Sequence, residues 1–159
     1  MPLDPNDLDL PILASLTGTA LDEATLEALR RSGHPNVRRA HGFVFQHLVE
    51  AQPTVGQLAE LLQVTPQAAS KSVVELETLG YVRREPDPID SRLRRIALTD
   101  QGHDAVASSR RFRADLERAV RDDVGERAVE NSRRVLVALL RHLDALDAVA
   151  ARRVPFPAE

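Results

Sequence analysis

Apolar positions recur at spacings of three and four through six stretches of the chain, and one short region between the fourth and fifth breaks that period. The first stretch, residues 9–31, puts Ile12, Leu13, Leu16, Ala20, Leu21, Ala24 and Leu29 at helical spacing, with Pro11 in its first turn and Gly33 and Pro35 beyond its end. The second, residues 37–50, is predicted to start from an Asn36 cap and to bury Ala40, Phe43, Val44, His47 and Leu48. Thr54 and Gln57 then form a capping-box pattern that opens a third helix packing Leu58, Leu61 and Leu62. Thr65 and Pro66 repeat the start signal: the threonine caps, and the proline sits where its missing N–H costs nothing. The fourth helix is predicted to bury Ala69, Val73, Leu76 and Leu79 and to close at Gly80.

Residues 81–85 and Arg94–Leu98 read as two short strands, with the two prolines of residues 86–91 assigned to the loop between them. Thr99 and Asp100 restart helix, and the fifth helix carries Val106, Ser109, Phe112, Leu116, Ala119 and Val120. Gly125 marks a break. The last helix is predicted over residues 126–152 with a stripe of Val135, Leu136, Leu139, Leu140, Leu143, Leu146 and Val149, and the tail RVPFPAE is expected to fray. The fold class that follows is mainly α with a small two-stranded β-wing. Its parts are supporting helices over 9–50, a winged helix-turn-helix unit over 51–99, and further helices over 100–152.

Composition narrows the chemistry. The chain has 159 residues, ordinary hydrophobic and charged content, and no cysteine, which removes disulfides, thiolate metal sites and cysteine nucleophiles. That is compatible with a cytoplasmic protein. The acidic, proline-broken start is no secretory leader, and no apolar run approaches membrane-spanning length. A net charge of −3 argues against indiscriminate polyanion binding but allows a local basic surface. Lys71 is the only lysine among 21 basic residues, a bias that a GC-rich genome would produce.

The start of the fourth helix and the hairpin after it carry the candidate chemistry. Gln67, Ala68, Ser70 and Lys71, at the start of the fourth helix, are small, amide or cationic, which lets a helix sink into a major groove. Gln67 can pair bidentately with adenine, and Lys71 can reach guanine or phosphate. The hairpin adds Arg83, Arg84, Arg92, Arg94 and Arg95, and Asp90 is placed to hold the Arg92 guanidinium by a carboxylate fork. An arginine at a loop tip suits a narrow minor groove. The alternative is a solvated face of arginines balanced by Glu85, Asp87 and Asp90.

The run LAELLQVTPQAASKSVVELETLGYVRREPDPIDSRLRRIALTDQG resembles the multiple antibiotic resistance regulator (MarR) family of winged-helix transcription factors. The distinctive pieces are the LETLGYVRR junction, the Asp90-Ser91-Arg92 wing and the restart from Leu98 to Gly102. The resemblance implies a homodimer whose outer helices interlock and whose paired reading heads meet a pseudo-palindromic operator in double-stranded DNA. It implies that Thr54 and Thr65 touch phosphates, that Gln67, Ala68, Ser70 and Lys71 face bases or their backbone, and that Arg92, oriented by Asp90, enters the minor groove with Arg94 beside it. Gln63 stands where that family has glycine, and Pro66 removes a phosphate-binding side chain. The long leucine stripe of the last helix supports a dimer independently, because such a helix projects beyond a winged-helix core.

Other readings are weaker. The five histidines lack metal-ligand spacing, so no metal or other cofactor is expected. His41, Phe43, Phe45 and His47 are candidates to line a small-molecule effector pocket on the second helix. No phosphate-cradling glycine loop or nucleophile with its base is present, so an enzyme is not expected. The competing reading is an interaction module that uses its long helices without DNA.

Overall fold

The structure is a computed structural model that describes residues 4–152; the RVPFPAE tail lies outside the described residues. A short 3-10 turn, Pro5–Asp7, precedes helix α1 (Leu10–Arg31), which starts on an Asp9 side chain accepting from the Ile12 N–H. Helix α2 (Arg39–Leu48) begins later than the sequence suggests. Residues 35 and 36 form a turn instead, so Asn36 caps nothing, and Arg38 is the N-cap. Val37, predicted to be helical, is buried just ahead of that helix.

Helices α3 (Val55–Leu62) and α4 (Pro66–Thr78) follow their start signals. In the capping box the Gln57 N–H donates to Thr54 Oγ1 at 3.3 Å and the Thr54 N–H donates to Gln57 Oε1 at 2.9 Å. The turn between the helices passes through Gln63 at φ 55°, a left-handed conformation that glycine adopts without cost. The turn therefore keeps its geometry without the glycine. Leu61 does not pack inward as predicted but is exposed, whereas Ala59 is buried at the crossing of the two helices, as expected.

Strands β1 (Val82–Pro86) and β2 (Arg94–Leu98) pair antiparallel, Val82 opposite Leu98 and Pro86 opposite Arg94. Pro86 thus ends the first strand rather than lying in the loop, and the next pairing contact is the Asp87 N–H donating to the Leu93 carbonyl at 3.1 Å. The Ile96 N–H donates to the Pro53 carbonyl at 2.9 Å, which ties the hairpin to the entrance of α3.

Helix α5 (Asp100–Val124) is locked to the hairpin by its cap. The Thr99 hydroxyl donates to the Gly80 carbonyl at 2.6 Å and accepts from the Gly102 N–H at 3.1 Å. A Cβ on Gly102 would come within 2.2 Å of the Tyr81 carbonyl oxygen, so the approach of α5 requires glycine there. The last predicted helix divides into α6 (Glu126–His142) and α7 (Leu146–Ala150), with Asp144 at φ 52° between them.

One apolar cluster joins Leu29 of α1, Val44, Phe45 and Leu48 of α2, Leu58 and Leu62 of α3, and Val73 and Leu76 of α4 to Tyr81, Ile96 and Ala105. His34 is buried at its edge, with Nε2 3.1 Å from Asp104 Oδ2 and Nδ1 3.4 Å from the Tyr81 hydroxyl. The cluster fixes the angle of α4 and the root of the hairpin, which is what positions the candidate site.

Candidate nucleic-acid interface

Helix α4 turns Ala69, Val73 and Leu76 inward, each fully buried. The opposite stripe, at steps of three and four, is Gln67, Lys71, Val74 and Thr78, all exposed. Ala68 is exposed on one flank and Ser70 half-buried on the other. Thr65 Oγ1 accepts from the Ala68 N–H at 3.2 Å, and its own hydroxyl proton can still be donated outward. Thr54, half-buried at the start of α3, has the same arrangement. The sequence puts two carboxylates later on α4. Glu75 is ion-paired with Arg38 at the entrance of α2, and Glu77 with Arg84 of β1 at 3.3 Å. Both carboxylates are thereby neutralised beside the outward stripe.

The hairpin arginines divide sharply. Arg83 donates to Glu85 at 2.6 Å and to the Leu98 carbonyl at 2.8 Å, and Arg84 meets Glu77. Arg94 folds back onto the Ser91 carbonyl at 2.8 Å, while Arg95 binds Asp87 and the Gln52 carbonyl. Arg92 is exposed at the tip, and among the described residues its guanidinium has no partner. Four cations build the wing; one is presented.

Asp87, not Asp90, is the organising carboxylate. It is only 6% exposed and accepts from the Ile89 N–H at 2.7 Å, from the Asp90 N–H at 2.9 Å and from Arg95. The N–H groups of Asp90 and Ile89, with Arg95 adding to them, hold its carboxyl below the usual carboxylate range. Asp90 accepts from the Arg92 backbone N–H at 3.0 Å, so it sets the backbone under Arg92 and does not fork the guanidinium. The sequence does contain a signal for Asp87: an aspartate before Pro-X-Asp is well suited to bond the N–H two residues on.

The pocket residues separate as well. A cavity of about 440 Å³ lies between α1, α2 and α5 and takes Phe43 and Phe45 into its lining; His41 and His47 are buried but are not among the lining residues. His41 instead accepts from the Arg38 N–H at 3.2 Å and lies 3.5 Å from Glu75. Burial first, and then the Arg152 charge, push the His47 imidazole below its ordinary pKa. Arg38, Arg39, Arg110, Arg113 and Arg152 line the same cavity against a single carboxylate, Asp22. Among the described residues no cluster of three or more His, Asp or Glu is arranged for a metal, and no helix is long and apolar enough to cross a membrane.

Comparison with known proteins agrees with this geometry. Residues 36–93 match the family model described as MarR family. The uncharacterized HTH-type transcriptional regulator ML2140 of Mycobacterium leprae is 32% identical over 66 residues, 42% of this chain and 46% of that protein. The chain therefore spans about half the length of the curated relatives it matches. Among solved structures, FabT of Streptococcus pneumoniae in complex with DNA superposes with a TM-score of 0.69 at 22% identity, covering 86% of this chain and 95% of that one. MepR of S. aureus bound to ethidium bromide gives 0.65 at 20% identity, covering 87% and 99%. These two likenesses show the same fold over most of the chain. Over residues 36–93 the chain is thus similar to the MarR family of transcriptional regulators, inside a winged helix-turn-helix fold that it shares with FabT and MepR over most of its length.

Proposed function

We propose that the chain is a sequence-specific, homodimeric DNA-binding regulator of the cytoplasm that represses by occupying a pseudo-palindromic operator. The observation that carries this reading is the contrast inside the wing: four arginines are consumed by internal partners, and Arg92 alone is held out beside a recognition helix whose carboxylates are neutralised. Arg92 would occupy the minor groove, where negative potential concentrates. Gln67, Ala68, Ser70 and Lys71 would meet the major groove, with the hydroxyls of Thr54 and Thr65 on phosphates. Asp90 acts by shaping the loop, and Arg94 serves the loop more than the duplex. Residues 51–99 would carry the DNA contacts, and 9–50 with 100–152 the dimer. FabT, of the same fold, is solved in complex with DNA.

The dimer draws support from apolar residues left exposed on α1, distal α5 and α6, among them Leu16, Leu116 and Leu136. A small-molecule effector draws support from the cavity. Three of its five arginines are ion-paired, and the other two, Arg110 and Arg113, favour an organic anion; Arg38 links the cavity wall to Glu75 of α4, a direct route from ligand to reading head.

Selection of duplexes from a random pool, followed by gel-shift titration of the full chain at two salt concentrations, tests the proposal. It expects a two-fold-symmetric site bound with steep salt dependence. Equal, weak binding to every duplex would refute it.

A further inference from the structure

We propose that Val74 reads a thymine methyl group in the major groove. The inference rests on the DNA-binding reading above and adds to it a base-reading position outside the residues already assigned. Single exposed valines are common on protein surfaces; what sets this one apart is its position. Val74 is 50% exposed, on the stripe of α4 opposite the core, one turn beyond Lys71 and two turns beyond Gln67. Seven residues at 1.5 Å each put it roughly 10 Å along the axis from Gln67, about three base-pair steps.

The polar groups around Val74 are already engaged. Glu75 on the next position is paired with Arg38, and Glu77 with Arg84. The Thr78 hydroxyl donates to the Val74 carbonyl at 2.8 Å, and the Ser72 hydroxyl to the Ala68 carbonyl at 3.2 Å. What this turn of the helix offers outward is a branched hydrocarbon, unable to hydrogen-bond to any base edge. In the major groove the matching feature is the C5 methyl of thymine, which cytosine and uracil lack. Burying that methyl against the valine discriminates by contact alone.

Deoxyuridine removes the methyl and leaves pairing intact. The test takes a duplex selected by the full-length protein, replaces the thymines of one half-site by deoxyuridine one at a time, and measures affinity by fluorescence anisotropy. The wild-type protein and the Val74→Ala variant are compared, with thermal melting to verify that the variant is folded. The expected result is one position where deoxyuridine weakens wild type about four-fold, the factor for one buried methyl-sized group, and does not weaken Val74→Ala. Every other position should respond alike in both proteins. If no position separates the two proteins while the selected duplex is still bound, the Val74 assignment is overturned and the DNA-binding reading stands. If no duplex is selected at all, both fall.

Discussion

The winged domain and the helices that flank it differ in how completely they bury their apolar residues. From Val44 of α2 to Ala105 at the start of α5, the inward positions are sealed: Val44, Leu58, Val73, Leu76 and Ile96 are all fully buried. In the flanking helices the same spacing leads to the surface. Helices α6 and α7 contain no buried residue, α5 buries nothing after Ser108, and α1 buries only Leu29. Helical periodicity is present in both regions, but only in one does the folded chain supply the opposing surface. In the proposed homodimer a second copy would cover the exposed stripe with its own, by symmetry.

The strongest way to break this contrast is to charge the uncovered stripe. Leu16→Asp with Leu136→Asp should leave each chain helical, abolish the dimer, and lower operator affinity by about 10²–10⁴-fold as the two half-sites lose their linkage. Sedimentation velocity and anisotropy titration would check both effects. Next comes the closed region. Leu58→Ala should cost about 2–5 kcal/mol in urea unfolding, since the site cannot collapse around the void. Its cost should not depend on protein concentration, whereas that of Leu136→Ala should if the proposed dimer buries that residue between copies, where mass action stabilises the surface.

Within the winged domain the same logic separates presented from engaged arginines. Arg92→Ala should weaken operator binding by about 1–3 kcal/mol. Arg94→Ala should cost less affinity, because that guanidinium already bonds the loop's own carbonyls. Gel-shift titrations of the two variants side by side would measure the difference. The smallest expected effect belongs to His47. Its folded pKa lies below the ordinary 6.5, so the unfolded chain takes the proton first as pH falls. The stability gained by keeping it neutral is present above pH 6.5 and declines below it, and His47→Leu should flatten that decline in melting curves at pH 5.5–7.5.

Local start signals were the most legible part of the sequence, because a cap is settled by residues three apart. Thr54 with Gln57, Thr65 with Pro66, and Thr99 all behave as their spacing implies. Features that depend on a choice between two local options were not legible. Asn36 could cap a helix or close a turn, and here it lies in a turn. The apolar period runs unbroken from Leu136 through Val149, and nothing in it announces that Asp144 takes a left-handed conformation and splits the helix. In the site, exposure of Gln67, Ala68 and Lys71 followed from helix phase alone. Asp87 had only its Asp-Pro-X-Asp turn pattern to mark it, and burial is what distinguishes it as the carboxylate that accepts two backbone N–H groups and Arg95. The pairing of Arg38 with Glu75 joins residues 37 positions apart and was beyond any local pattern.

On the proposed function, two copies read one duplex together. Sedimentation equilibrium of the full-length chain with its selected duplex measures this directly. The expected result is a free protein of two chains and a complex of two chains per duplex, with no one-chain complex at any ratio. A free single chain, or a complex of one chain on one half-site with undiminished affinity, would contradict it.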